Sequence, residues 1–256
     1  MNESKFDGMG KTYAKFRPTY PQAFIEYLCS DVGIKREGII ADIGSGTGIL
    51  TRQLLELGNK VFAVEPNDDM RIVAESDLCG YTNFTSVNGT AENTTLSSHS
   101  VGFVTVAQAF HWFDRVSFKA ECKRILKPNG KVILVYNSRR LDSEVVKDGD
   151  IVNRKYCPNF KGFSGGMRGT EDVNTHYSDF FDGEYEARIF KNNLTFELDS
   201  FIGRNLSASY ALKENDENFS AYIAELTECF DKHAVGGKLI MPNDTRSYTG
   251  RLIEYP

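Results

Sequence analysis

An α/β fold built on a mostly parallel sheet is predicted by three observations. Residues 39–50, Ile-Ile-Ala-Asp-Ile-Gly-Ser-Gly-Thr-Gly-Ile-Leu, carry a short apolar run that stops at glycines and passes into an amphipathic segment. Strand-like and helix-like runs then alternate as far as residue 137, the order a parallel sheet with helical crossovers requires. Beyond Asn137 a polar, glycine-bearing stretch runs to residue 183 before strand patterns return.

Composition bounds the function classes. A chain of 256 residues, 41% hydrophobic and 25% charged, suits a soluble protein of one domain with an elaboration, or of one and a half domains. A net charge of −5 argues against a nucleic-acid partner, and no apolar run approaches membrane-spanning length. The five cysteines, at 29, 79, 122, 157 and 229, form no C-x-x-C pair, which points to reduced thiols and a cytoplasmic protein. No metal-ligand spacing occurs. The expected partner is a small-molecule substrate, met by a monomer or a homodimer.

Taken in order, Tyr13-Ala-Lys-Phe-Arg17-Pro18-Thr-Tyr20-Pro21 stops any helix near Phe16, and a new one starts around Pro21 with Phe24, Tyr27 and Leu28 in period. Ile39, Ile40, Ala41 and Ile43 read as a strand buried on both faces, where alternation disappears. Gly44, Gly46 and Gly48 end it, and Leu50, Leu54 and Leu57 mark the helix that follows. With no Cβ in the way and unpaired N–H groups at the helix start, a ligand can approach the backbone there, as at a nucleotide site.

Lys60–Val64 is the second strand, ending at Glu65-Pro66. Glu65 lies 23 residues past Asp42, the placement of an acid that accepts hydrogen bonds from ribose hydroxyls. Asn67 caps the next helix, and Met70 packs either on an adenine or in the helix core. Phe84–Val87 and Val101–Ala107 are the third and fourth strands. The fourth runs into Gln108-Ala-Phe-His111-Trp112-Phe-Asp114, at the end of the sheet where ligands lie. Ser117–Leu126 is helical, Lys127-Pro-Asn-Gly130 a turn and Lys131–Tyr136 the fifth strand. Later, Glu184–Lys191 is a strand that extends toward Glu197. Asp216–His233 is a helix with a core-facing stripe, and Lys238–Met241 with Arg246–Leu252 closes the sheet.

The D-x-G-x-G-x-G form, Asp42 to Gly48, differs from the dinucleotide fingerprint, because position six is Ile49 and the third glycine comes early. It resembles motif I of the class I S-adenosylmethionine (SAM)-dependent methyltransferases. Arg17-Pro-x-Tyr-Pro21, the His-Trp-Phe-Asp cluster and Leu126-Lys-Pro-Asn-Gly-Lys-Val-Ile-Leu resemble the same family, in particular its trans-aconitate-type subset. That likeness implies a Rossmann-like, mostly parallel seven-stranded sheet whose last strand is antiparallel, with helices on both faces and a cap or lid insertion. The corresponding segments are an N-terminal helical cover over 1–35, a SAM-binding core over 36–137, a cap or lid over 138–183, and completion of the sheet over 184–256.

The resemblance also implies site roles. SAM, converted to S-adenosylhomocysteine, would meet Asp42, Gly44, Ser45, Gly46 and Gly48 at the first turn. Glu65, Pro66 and Met70 follow the second strand, Ala91 and Glu92 serve the adenine loop, and Gln108, Ala109 and Trp112 follow the fourth strand. Tyr13 and Arg17 would fold over the methionine end, Arg17 facing its carboxylate; the same segment also reads as a helix on the domain edge. His111 is the catalytic candidate, either a general base or a donor shaping the pocket. Arg139, Arg140, Arg168 and Tyr177 are possible substrate contacts. The implied reaction is SN2 methyl transfer to a small acceptor, a carboxylic acid by analogy. The alternatives are a SAM-binding protein without catalysis and an NAD(P)-dependent oxidoreductase.

Overall fold

The computed structural model describes residues 17–163 and 171–252, with the backbone alone for residues 171–175. Tyr13 and Arg168 lie outside the described residues. Seven strands form the main sheet: β1 (Ile39–Ile43), β2 (Lys60–Val64), β3 (Phe84–Val87), β4 (Val101–Ala107), β5 (Leu126–Arg139), β6 (Tyr185–Lys191) and β9 (Asn243–Gly250). Their spatial order is β3-β2-β1-β4-β5-β9-β6. β1 pairs in parallel with β2 on one side and β4 on the other, so the chain reverses direction across the sheet at β1. β9 alone runs antiparallel, between β5 and β6. This is the Rossmann-like arrangement that the sequence implied.

Helices cover both faces. On one face lie α1 (Gln22–Ser30), α2 (Ile49–Glu56) and α3 (Asp68–Leu78), packed through Phe24, Leu28, Leu54 and Leu78 onto Ile40, Val61 and Ile133. On the other, α4 (Arg115–Ile125) and α6 (Glu171–Phe180) bring Phe118, Cys122, Phe180 and Tyr177 onto Val104, Val106 and Leu134. Strands covered on both faces lose polar alternation, which explains the continuous apolar runs. Asn67 and Asp114 cap α3 and α4, accepting from the N–H of Met70 (3.0 Å) and Ser117 (2.8 Å).

Three segments depart from expectation. The turn at Lys127–Gly130 lies inside β5: the register jumps from Leu126 opposite Val101 to Lys131 opposite Phe103, so these residues bulge from the ladder. Pro128 has no N–H to pair and Asn129 has φ +64°, which together force the bulge. The described part of 138–183 is largely helical, with α5 (Glu144–Tyr156) and α6 going to different places. Lys238–Met241 does not close the sheet: β8 (Leu239–Met241) pairs antiparallel with β7 (Leu194–Phe196) in a separate ribbon.

That ribbon belongs to a second core. α5, α7 (Leu198–Leu206) and α8 (Phe219–His233) enclose Val146, Phe201, Tyr222, Leu226 and Phe230. The stripe on α8 is therefore core, but of a cap assembled from residues 144–163 and 194–241 and not of the sheet. Tyr222 is fully buried and its hydroxyl donates to Asn153 Oδ1 at 2.8 Å, while Asn153 Nδ2 donates to Gly149 O at 2.7 Å. Both polar groups are thereby satisfied inside an apolar packing.

Candidate active site

A cleft with about 460 Å³ of space, part of it open to solvent, lies where the loops after β1 and β4 diverge. Open α/β sheets place ligands at this switch point, beyond the carboxyl ends of the strands. Its walls are the glycine turn from Gly44 to Thr47, the start of α2, Ala107 and Gln108 after β4, and Arg17, Tyr20 and Arg204 above.

The turn explains its own sequence. Gly44, Gly46 and Gly48 all have positive φ, at +66°, +57° and +80°. A Cβ on Gly44 would lie 2.7 Å from that of Ala109, and one on Gly48 would lie 2.7 Å from Leu78 Cδ1. A Cβ on Gly46 would meet nothing within 4 Å, since it would project into open space. Two of the glycines thus permit close packing, and the middle one keeps the cleft clear.

Two carboxylates brace the turn in different ways. Asp42 is fully buried and accepts from Thr51 Oγ1 at 2.6 Å and Thr105 Oγ1 at 2.7 Å, joining β1, α2 and β4. Burial pushes its carboxyl up to about 6 against the lowering effect of those hydroxyls. With no exposed surface, Asp42 sits behind the turn and not in the cleft. Glu65, at the end of β2, accepts from the N–H of Gly46 through Oε2 and of Asn67 through Oε1, both at 2.9 Å. Burial raises its carboxyl too, opposed by those two N–H groups and by Arg71.

Donors remain at the turn. Ser45 Oγ and Thr47 Oγ1 are buried without a hydrogen-bond partner among the described residues. Buried hydroxyls are ordinarily satisfied, so two orphans on one glycine turn mark a place where a polar ligand completes the bonding. The residues present therefore fit a nucleoside-type cofactor. Gln108 adds a second local sign: it holds φ +61°, fixed by its N–H to Val135 O (2.9 Å) and its Nε2 to Asn137 O (3.1 Å). Such backbone strain persists only where the surroundings enforce it.

The other expected residues are partly assembled around the cleft. Arg17 lines it, and its Nη2 donates to Ser207 O at the end of α7 (2.9 Å). The Gln53 side chain fastens this segment by bonding both the N–H and the carbonyl of Tyr20, at 3.0 and 2.8 Å. Pro66 is half-buried, and Met70, Ala91 and Ala109 are buried. Glu92 accepts from the Asp114 N–H at 2.9 Å. Trp112 packs at the edge of the core, its ring 4.5 Å from that of His111. His111 is exposed on a short 3-10 turn (Phe110–Trp112), with its ring 6.1 Å from Tyr136.

Among the possible substrate contacts, Arg140 is exposed and paired with Asp142 at 2.9 Å. Tyr177 is a correction: it is 7% exposed and stacked 3.9 Å from Tyr248, inside the core under α6. Its ring completes the apolar face of the sheet and leaves no side for a substrate. Sequence reasoning passed over Thr47, which sits inside the glycine motif and carried the same signal as Ser45. It also missed Arg204, whose helix α7 reaches the cleft only through the tertiary fold.

Comparison with known proteins agrees with this geometry. Residues 41–134 match the family model described as a methyltransferase domain. An uncharacterized methyltransferase of Mycobacterium tuberculosis is 36% identical over 147 residues, 57% of this chain and 58% of the relative. One from Schizosaccharomyces pombe is 32% identical over half of each chain. The chain thus aligns with a little under three fifths of the first of these relatives. In overall fold it is similar to a provisional type II methyltransferase of Anaeromyxobacter dehalogenans, at TM-score 0.67, 23% identity and coverage of 94% and 100%. A SAM-dependent methyltransferase of Geobacter sulfurreducens, in complex with S-adenosyl-L-homocysteine, gives TM-score 0.52 at 14% identity, covering 97% and 98%. Residues 41–134 thus match a methyltransferase domain, and the chain as a whole shares the fold of solved methyltransferases.

Proposed function

We propose that this chain binds SAM in the glycine-turn cleft and transfers its methyl group to a small-molecule acceptor, a carboxylic acid. One observation carries the reading: a turn whose middle glycine faces open space, with the buried Ser45 and Thr47 hydroxyls unpartnered beside it. SAM supplies a methyl carbon bonded to a cationic sulfur. Ser45, Gly46 and Thr47 would hold it along the turn, Glu65 would accept from its ribose, Ala91 with Glu92 would meet the adenine, and Arg17 would serve its carboxylate.

The protein's task is then to align the acceptor and exclude water. A carboxylate acceptor needs no base. For a neutral hydroxyl or amine, His111 on its exposed turn is the residue that would take the proton. Calorimetric titration with SAM and with NADH tests the cofactor, and SAM alone should bind. NADH binding in its place would overturn the reading. Incubation with methyl-labelled SAM and a metabolite extract, read by mass spectrometry, should then give a labelled methyl ester; tight SAM binding with no labelled product would favour a non-catalytic SAM-binding protein.

A further inference from the structure

We propose that Arg139 docks an anionic group of the acceptor, a carboxylate or phosphate that is not itself methylated. This rests on the methyl-transfer reading and assigns the acceptor a second, charged handle. Arg139 is the last residue of β5, where the sheet meets the cap. Its guanidinium lies 4.3 Å from the centre of the Phe163 ring. The groups acting on its charge are Arg17, Tyr210 and Tyr222, and among the described residues no carboxylate pairs with it. The adjacent Arg140 shows the contrast, being exposed and paired with Asp142.

A half-buried guanidinium stacked on an aromatic ring and set beside a second cation is favoured by an arriving counter-charge. Burial and Arg17 both hold its protonated form below its ordinary stability. The Phe163 ring packs against the group, whose N–H fork has the chemistry for a two-point contact with an oxyanion. Because Arg17 lines the cleft, the pair of guanidinium groups connects the glycine turn with the underside of the cap. An acceptor anchored at Arg139 would be held between sheet and cap, next to the cleft that holds the cofactor.

Calorimetric titration of the full chain, first saturated with S-adenosylhomocysteine, tests this with two probes, glutarate and inorganic phosphate. Saturable binding of one probe is expected, and the one that binds identifies the anion. Arg139→Gln should weaken it by about tenfold or more. Arg139→Lys should retain part of it, Phe163→Leu should weaken it severalfold at unchanged charge, and Arg140→Gln should leave it as it is. S-adenosylhomocysteine affinity should stay within about twofold in every variant. Equal probe affinity in wild type and Arg139→Gln, or no binding of either anion to wild type, overturns the assignment. A parallel loss of S-adenosylhomocysteine affinity in Arg139→Gln would also overturn it, giving Arg139 to the cofactor. If Arg139→Gln does not fold by circular dichroism, Arg139→Lys and Phe163→Leu carry the test. Failure of wild type to bind S-adenosylhomocysteine would instead defeat the methyl-transfer reading, and the anion titration is then read on the unliganded chain.

Discussion

Asp42 in the sheet and Arg139 at the sheet–cap seam are charged side chains removed from water wholly in the first case and partly in the second, and they are treated in opposite ways. Asp42 has a hydroxyl donor on each oxygen, from Thr51 and Thr105, and so locks three elements together. Arg139 has an aromatic ring beside it, another cation nearby and, among the described residues, no acid. Buried polar groups in a finished core are paired. The Asp42 strut is finished in this sense, whereas the glycine turn keeps the Ser45 and Thr47 hydroxyls in reserve. That difference separates the part of the molecule that holds the fold from the part offered to ligands.

The strongest way to break the contrast is at the middle glycine. Gly46→Val places a branched side chain in the open space beside the turn, at a φ of +57°. It should lower SAM affinity by about a thousandfold or more, ~4 kcal/mol, with folding less affected. Calorimetry and thermal melts check both parts; unchanged affinity would move the site elsewhere.

Next comes Asp42→Asn. The folded carboxyl titrates at about 6, above its unfolded value, so the folded state binds the proton more tightly. Its contribution is therefore fully present below about pH 4 and is lost as pH rises through about 6, by up to ~3 kcal/mol. Relative to Asp42→Asn, wild type should lose stability across that window in urea melts. A pH-independent difference would show that Asp42 is not held as described.

Inside the cap, Tyr222→Phe leaves Asn153 Oδ1 with only the weak Cys157 thiol donor at 3.8 Å and should cost about 1 kcal/mol. Hydrogen exchange should rise in α5 and α8, with SAM affinity unchanged; a matching fall in affinity would mean that cap and cleft act as one unit. The smallest effect is expected from Arg140→Gln, an exposed pair that should leave the melting temperature within about 1 °C.

Much of the sheet was readable because its signals are local. The strand–glycine–helix step at residues 39–50 specifies its own turn, since three positive φ values within five residues demand glycine and the flanking apolar runs demand burial. Glu65 was placed from chain spacing, and its bond to the Gly46 N–H shows how near the two loops come. Asp42 was legible as part of the motif but not as a strut, because Thr51 and Thr105 lie on two other elements. Tyr177 misled for a related reason: a tyrosine in a polar stretch looks exposed until α6 is laid on the sheet.

Sequence alone determined the class of fold and the glycine turn, because these rest on short-range periodicity and on backbone conformations few residues adopt. Tertiary structure alone decided that residues 194–241 build a cap and that Lys238–Met241 leaves the main sheet. It alone brought Arg17, Arg139 and Arg204 to one region. Those outcomes depend on contacts between segments up to 190 residues apart, as in the bond from Arg17 to Ser207, and no local pattern encodes which distant surface a helix will meet.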